Sequence, residues 1–118
     1  MNYDYQFPNI ITGLPQAEIP IDGLSAYLLQ GVNHQVVLMS FENDITVPEH
    51  THEAQWGVVL AGEIELTINN EKRIYKKGDT YIIQKNVPHS ANIKAGYKDL
   101  TFSIRKTDTK QKVKNENT

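Results

Sequence analysis

Histidine is the side chain in this 118-residue sequence best suited to chemistry at neutral pH, because an uncharged imidazole offers a nitrogen lone pair to a metal ion. His50 and His52 stand two residues apart in "PEHTHEAQWGVVLAGEIELTI", directly ahead of an apolar run. In an extended chain, residues i and i+2 share a face, so both rings are expected on one side at the mouth of a strand. Alone, the pair reads either as half of a metal site or as a solvated edge. His89 follows the Val87-Pro88 turn in "GDTYIIQKNVPHSANI". His34 stands at a strand start and reads as a surface residue. Glu49 and Glu53 flank the pair at odd offsets, so alternation turns them away and makes them rim charges. The chain has no cysteine, which excludes disulfides, thiolate metal sites and a cysteine nucleophile.

The elements that must position these residues are strands. Short runs rich in Val, Ile, Leu and Tyr recur between Gly, Asn, Asp and Pro, and few segments have helical periodicity. The runs are "LSAYLLQ", "QVVLMSF", "QWGVVLA", "EIELTI", "RIYK", "TYIIQ", "HSANIKA" and "DLTFSIR". "NNEK", from Asn69 to Lys72, predicts a hairpin turn, because Asn tolerates the left-handed backbone such turns require. Eight or more short strands predict an all-β sandwich or barrel. Tyr27, Met39, Phe41, Tyr81 and Phe102 fall on strands and are candidates to line a cavity, with core filling as the ordinary alternative.

The predicted barrel spans 24–105. Residues 1–23 form an N-terminal arm in which Tyr3, Tyr5 and Phe7 recur with period two, suiting a strand that packs on the barrel or on a partner. Residues 106–118 hold one aliphatic side chain and much charge, and read as a flexible polar tail. A net charge of −2 argues against a nucleic-acid footprint or a basic membrane face. The longest apolar runs fall far short of a membrane span, and the first ten residues lack the pattern of a signal peptide. A soluble cytoplasmic protein is expected.

The two histidine-bearing segments together resemble the cupin superfamily of small jelly-roll barrels. Its first motif is Gly, five residues, His-x-His, three or four residues, Glu, six residues, Gly. Its second is Gly, five residues, Pro-x-Gly, two residues, His, three residues, Asn. His50, His52 and Gly62 match the first, and Gly78 and His89 the second. Asp44 stands in place of the first Gly, while Gln84, Asn86 and Ile93 replace the Pro, Gly and Asn of the second motif. Counting back from Gly62 puts Gln55 in the Glu slot, with one residue lost after His52.

The resemblance implies an all-β, cupin-like jelly-roll β-barrel (double-stranded β-helix) holding one divalent transition metal ion. Zn, Mn, Fe, Ni and Cu all remain open. The implied ligands are His50, His52, His89 and the amide oxygen of Gln55; alternatively Gln55 makes only a barrel hydrogen bond, leaving a three-histidine site. Strict alternation from His52 would point Trp56 inward. The Gly62 count instead points Gln55 inward and Trp56 outward, and requires a bulge or kink near Glu53-Ala54. An amide in place of a carboxylate leaves the ion's charge uncompensated, which favours anionic or enediolate-forming ligands and acidifies bound water. The implied function is a metal-dependent enzyme, an isomerase, lyase or dioxygenase, acting on a small sugar-acid-like or keto-acid-like molecule. The alternative is a non-catalytic small-molecule binding or sensor cupin. An acid or base in the pocket wall would favour catalysis, and wholly apolar walls would favour binding. A homodimer is expected, through the Tyr3-Tyr5-Phe7 arm or the outer face carrying Trp56.

Overall fold

The alternating runs form nine strands, with one four-residue helix, α1 (Asn9–Thr12), among the described residues, 6–105 of a computed structural model. The expectations for Tyr3, Tyr5 and the segment from Lys106 onward lie outside those residues. The strands are β1 (Leu24–Gln30), β2 (His34–Phe41), β3 (Ile45–His50), β4 (Gln55–Ala61), β5 (Glu63–Ile68), β6 (Glu71–Lys76), β7 (Thr80–Ile83), β8 (His89–Ile93) and β9 (Lys98–Ile104). They form two antiparallel sheets, ordered β1-β2-β9-β4-β7 and β3-β8-β5-β6, stacked as a jelly roll. β3 is an addition to the strands expected from the sequence. It tolerates Pro48 because it lies at a sheet edge, where a missing N–H breaks no ladder. The β5–β6 hairpin closes through Asn69 and Asn70, at φ 50° and 67°, between the paired residues Ile68 and Glu71. Two consecutive left-handed residues are what a two-residue hairpin of matching twist demands.

The core lies between the sheets, where Phe41, Val59, Ile64, Leu66, Tyr81, Ile83, Ile93 and Tyr97 form one buried cluster. A second cluster, Ala17, Ala26, Leu28 and Val37, sits at the β1 end. There the segment before β1 runs along it: the Ala17 N–H donates to the Ala26 carbonyl at 2.8 Å, and the Leu28 N–H to that of Pro15 at 2.7 Å.

Strand parity corrects two of the cavity candidates. Ala26 and Leu28 take the inner face of β1, so Tyr27 points away from the barrel interior and meets Phe7 edge-on, with ring centroids 6.1 Å apart. Thr101 takes the inner face of β9, so Phe102 lies outside, 45 % exposed and stacked on His34 at 5.4 Å. Phe102 belongs to a single row crossing the five-stranded sheet in register: Leu29 opposite Val36, Val36 opposite Phe102, Phe102 opposite Trp56, Trp56 opposite Ile82. Every strand of that sheet thus contributes an apolar residue to this row.

Candidate metal centre

The two sheets supply the site from opposite sides. His50 ends β3 and His89 begins β8, and the two are register partners across a shift in the β3–β8 ladder. His52 lies past the end of β3, and β4 begins at Gln55 in the other sheet. The histidine pair therefore does not share a strand face, as i, i+2 spacing suggested; the chain is crossing between sheets, and the rings converge around that turn. Asn86, at φ 63°, donates its N–H to the His52 carbonyl at 3.0 Å, tying the crossing to the turn that precedes His89.

Each imidazole is oriented by a main-chain oxygen. Nδ1 of His50 lies 2.9 Å from the Pro48 carbonyl, Nδ1 of His52 2.7 Å from that of Glu53, and Nδ1 of His89 2.9 Å from that of Val87. A carbonyl can only accept, so each Nδ1 carries the proton and each neutral ring keeps its lone pair on Nε2. Nε2 of His52 and of His89 face each other at 2.9 Å, and a donor nitrogen of His50 completes a cluster whose atoms all lie within 4.8 Å of one another. Two facing lone pairs repel unless a cation sits between them. Nitrogens bound at about 2.1 Å to one ion and at right angles lie about 3 Å apart, so the donor set fits a transition metal ion. Burial, the largest cause, pushes the His89 imidazole below its ordinary value, in the direction that favours the neutral, ligating form.

Gln55 and Trp56 take opposite sides of β4. Gln55 lines a cavity of about 220 Å³ together with the three histidines, Met39, Phe41 and Tyr81, whereas Trp56 is 42 % exposed on the outer sheet. The change of phase after His52 comes from the crossing between sheets rather than from a bulge within one strand. A second cavity of about 300 Å³ shares His52, Gln55, Ile19 and Met39 with the first, and adds Gln35, Glu53, Thr101 and Ser103. Glu53 corrects the rim assignment: it lines this cavity, its side chain is 19 % exposed, and Lys85 Nζ lies 3.4 Å from it. Alternation misplaced it because residues 51–54 belong to no strand.

The 220 Å³ cavity also holds a carboxyl group that strand patterning did not single out. Asp99, 2 % exposed, accepts hydrogen bonds at Oδ2 from the hydroxyls of Tyr97 (2.7 Å) and Tyr81 (3.2 Å), while its Oδ1 has no partner. Burial pushes its pKa up to about 7, despite the two hydroxyls that favour the ionised form. The same burial beside Asp99 raises both tyrosines. In sequence, the only signal was the charged pair Lys98-Asp99 opening an otherwise alternating strand.

A jelly roll of this topology carries a histidine triad positioned to hold a metal ion, and the family comparison agrees with the fold. The chain matches the cupin domain model over residues 36–102 and belongs to the cupin family. Comparison with curated protein sequences returns no significant match. Among solved structures, KdgF from a Halomonas species is 23% identical, with a TM-score of 0.68, covering 78% of this chain and 88% of that one. An RmlC-like cupin from Shewanella frigidimarina is 19% identical (TM-score 0.70; 80% and 86% covered). A variant oxalate decarboxylase of Bacillus subtilis is 20% identical (TM-score 0.65), covering 76% of this chain but 27% of that one. No helix among the described residues is long and apolar enough to cross a membrane.

Proposed function

We propose that the protein is a metal-dependent enzyme acting on a small, oxygen-rich and anionic molecule of sugar-acid or keto-acid type, with His50, His52, His89 and Gln55 as metal ligands. The observation that carries this reading is the convergence of three Nε2 lone pairs, each set by a backbone acceptor, beside cavities large enough for a small ligand. The ion would supply Lewis acidity to substrate oxygens. Neutral ligands leave its charge available to an anion. Gln35 and Ser103 offer polar contacts in the 300 Å³ cavity, and Phe41, Ile64, Leu66 and Ile93 give the 220 Å³ cavity apolar walls. Two wall carboxyl groups, Glu53 and Asp99, favour catalysis over simple binding, since proton transfer needs a group that can hold a proton. The oxalate decarboxylase of like fold, named for a small dicarboxylic acid, lends the substrate class support.

Elemental analysis of untagged protein, followed by a screen of sugar acids and keto acids, tests this. One transition metal per chain and turnover of one of these acids is expected. Absence of bound or bindable metal would refute the site, and tight ligand binding without turnover would leave the non-catalytic binding protein as the correct reading.

A further inference from the structure

Gln55 poses a problem that a glutamate in its place would not. An amide has one oxygen that can bind a metal and one NH2 that cannot, and the two ends are so alike in shape that packing barely distinguishes them. Hydrogen-bond polarity is what remains to choose. We propose that Tyr81, itself held by Asp99, fixes which end of the Gln55 amide faces the three histidines. The proposal rests on the reading of Gln55 as the fourth metal ligand.

The geometry follows from the inner face of β4. Gln55, Gly57 and Val59 share that face, with Gly57 opposite Tyr81 on β7 and Val59 opposite Asp99 on β9. A Cβ on Gly57 would collide with Cζ and Oη of Tyr81. The bare glycine therefore lets the phenol lie across β4, with its hydroxyl between the Gln55 and Asp99 levels. At one side that hydroxyl meets Asp99 Oδ2 at 3.2 Å; at the other lies the cavity that Tyr81 and Gln55 line together.

A phenol has a single proton. Tyr81 donates to Asp99 Oδ2 in its own right, beside the separate donation from Tyr97 at 2.7 Å, so the proton of Tyr81 is committed to Asp99. Tyr81 therefore offers Gln55 only a lone pair. The end of the amide that meets it is Nε2, and Oε1 is left to the histidine side of the cavity. Tyr81 and Asp99 act through Gln55, as positioning residues, and touch no metal themselves.

The test exploits the symmetry of a carboxylate, which presents an oxygen whichever way it turns. Affinities of the full chain for Zn2+, measured by competition with a chromophoric chelator, and the visible spectrum of the Co2+ form are compared. Tyr81→Phe is expected to weaken Zn2+ binding about 10-fold or more, the usual cost of losing a group that orients a ligand, and to alter the Co2+ spectrum. In a Gln55→Glu background the same substitution is expected to change affinity less than about 2-fold. Tyr97→Phe removes the other hydroxyl from Asp99 without touching Gln55, and is expected to leave Zn2+ affinity as it was. Equal losses from Tyr81→Phe in both backgrounds, or none in the native one, would overturn the proposal, as would an equal loss from Tyr97→Phe. Gln55→Leu separates the underlying reading: native Zn2+ affinity in that variant would show that Gln55 is no ligand, and both ideas would fall together.

Discussion

Replacing Asp99 with Asn should make the protein more stable near neutral pH and leave it nearly unchanged in acid. Asp99 is almost wholly buried and one of its oxygens has no partner, so its ionised form lacks both solvation and full hydrogen bonding. Folding raises its pKa from 3.8 to about 7. The folded chain therefore holds this proton more tightly than the unfolded chain. The group's full stability is present below pH 3.8, is lost progressively as pH rises, and is gone above about pH 7. At about 1.4 kcal/mol per pH unit, the shift amounts to about 4 kcal/mol across that window, of which about 3 kcal/mol falls between pH 5 and pH 8. Asn keeps the shape and one acceptor for the two tyrosine hydroxyls but never ionises. Urea denaturation of both proteins, metal-free in chelator, at pH 5, 6, 7 and 8 should show the variant gaining about 3 kcal/mol on the native chain over that range. His89 titrates in both proteins, so its contribution cancels in the difference. Parallel stability curves would refute the reasoning, because they would mean that Asp99 ionises in the folded state at an ordinary value and that burial does not cost it its charge.

Two further outcomes concern the ligand site and the outer sheet. Gln55→Glu should retain metal yet bind anionic ligands more weakly, with neutral ligands less affected, because the carboxylate cancels one unit of the ion's charge; equal loss for both ligand types, measured by calorimetry, would contradict this. Paired through the apolar row of Leu29, Val36, Phe102, Trp56 and Ile82, the chain should sediment as a homodimer, and Trp56→Lys should sediment as a monomer; a native monomer at high concentration would remove the claim.

What could be read from the sequence was local chemistry. The Asn69-Asn70 hairpin was legible because only a few residue types accept its backbone, and β1 and β2 because their apolar runs end in turn residues. His50, His52 and His89 were legible as a set because both segments carry spaced motifs. What could not be read was relation across the fold. Nothing in "HTHEAQ" signals that the chain changes sheets there, so Glu53 was turned the wrong way and the two histidines were expected on one strand. The side a lone aromatic takes depends on which parity its strand presents inward, and for Tyr27 and Phe102 that parity is set by neighbours such as Ala26 and Thr101 rather than by the aromatics themselves. Asp99 stayed hidden because a carboxylate in a strand ordinarily faces water; only the hydroxyls of Tyr81 and Tyr97 make a buried place for it.

The backbone tethers of the three imidazoles bear on how such a site withstands mutation. Pro48, Glu53 and Val87 hold the rings through carbonyl oxygens, a group that every amino acid possesses. Their side chains can therefore be exchanged without retuning the histidines, provided that the local backbone path survives. Gln55 stands in the opposite position. As the proposed fourth ligand it would be set through the phenol of Tyr81, the carboxyl group of Asp99 and the absent side chain of Gly57, three identities that no main-chain atom can replace. On that proposal, one half of the centre is buffered against drift, and the other half would change only by coordinated substitution.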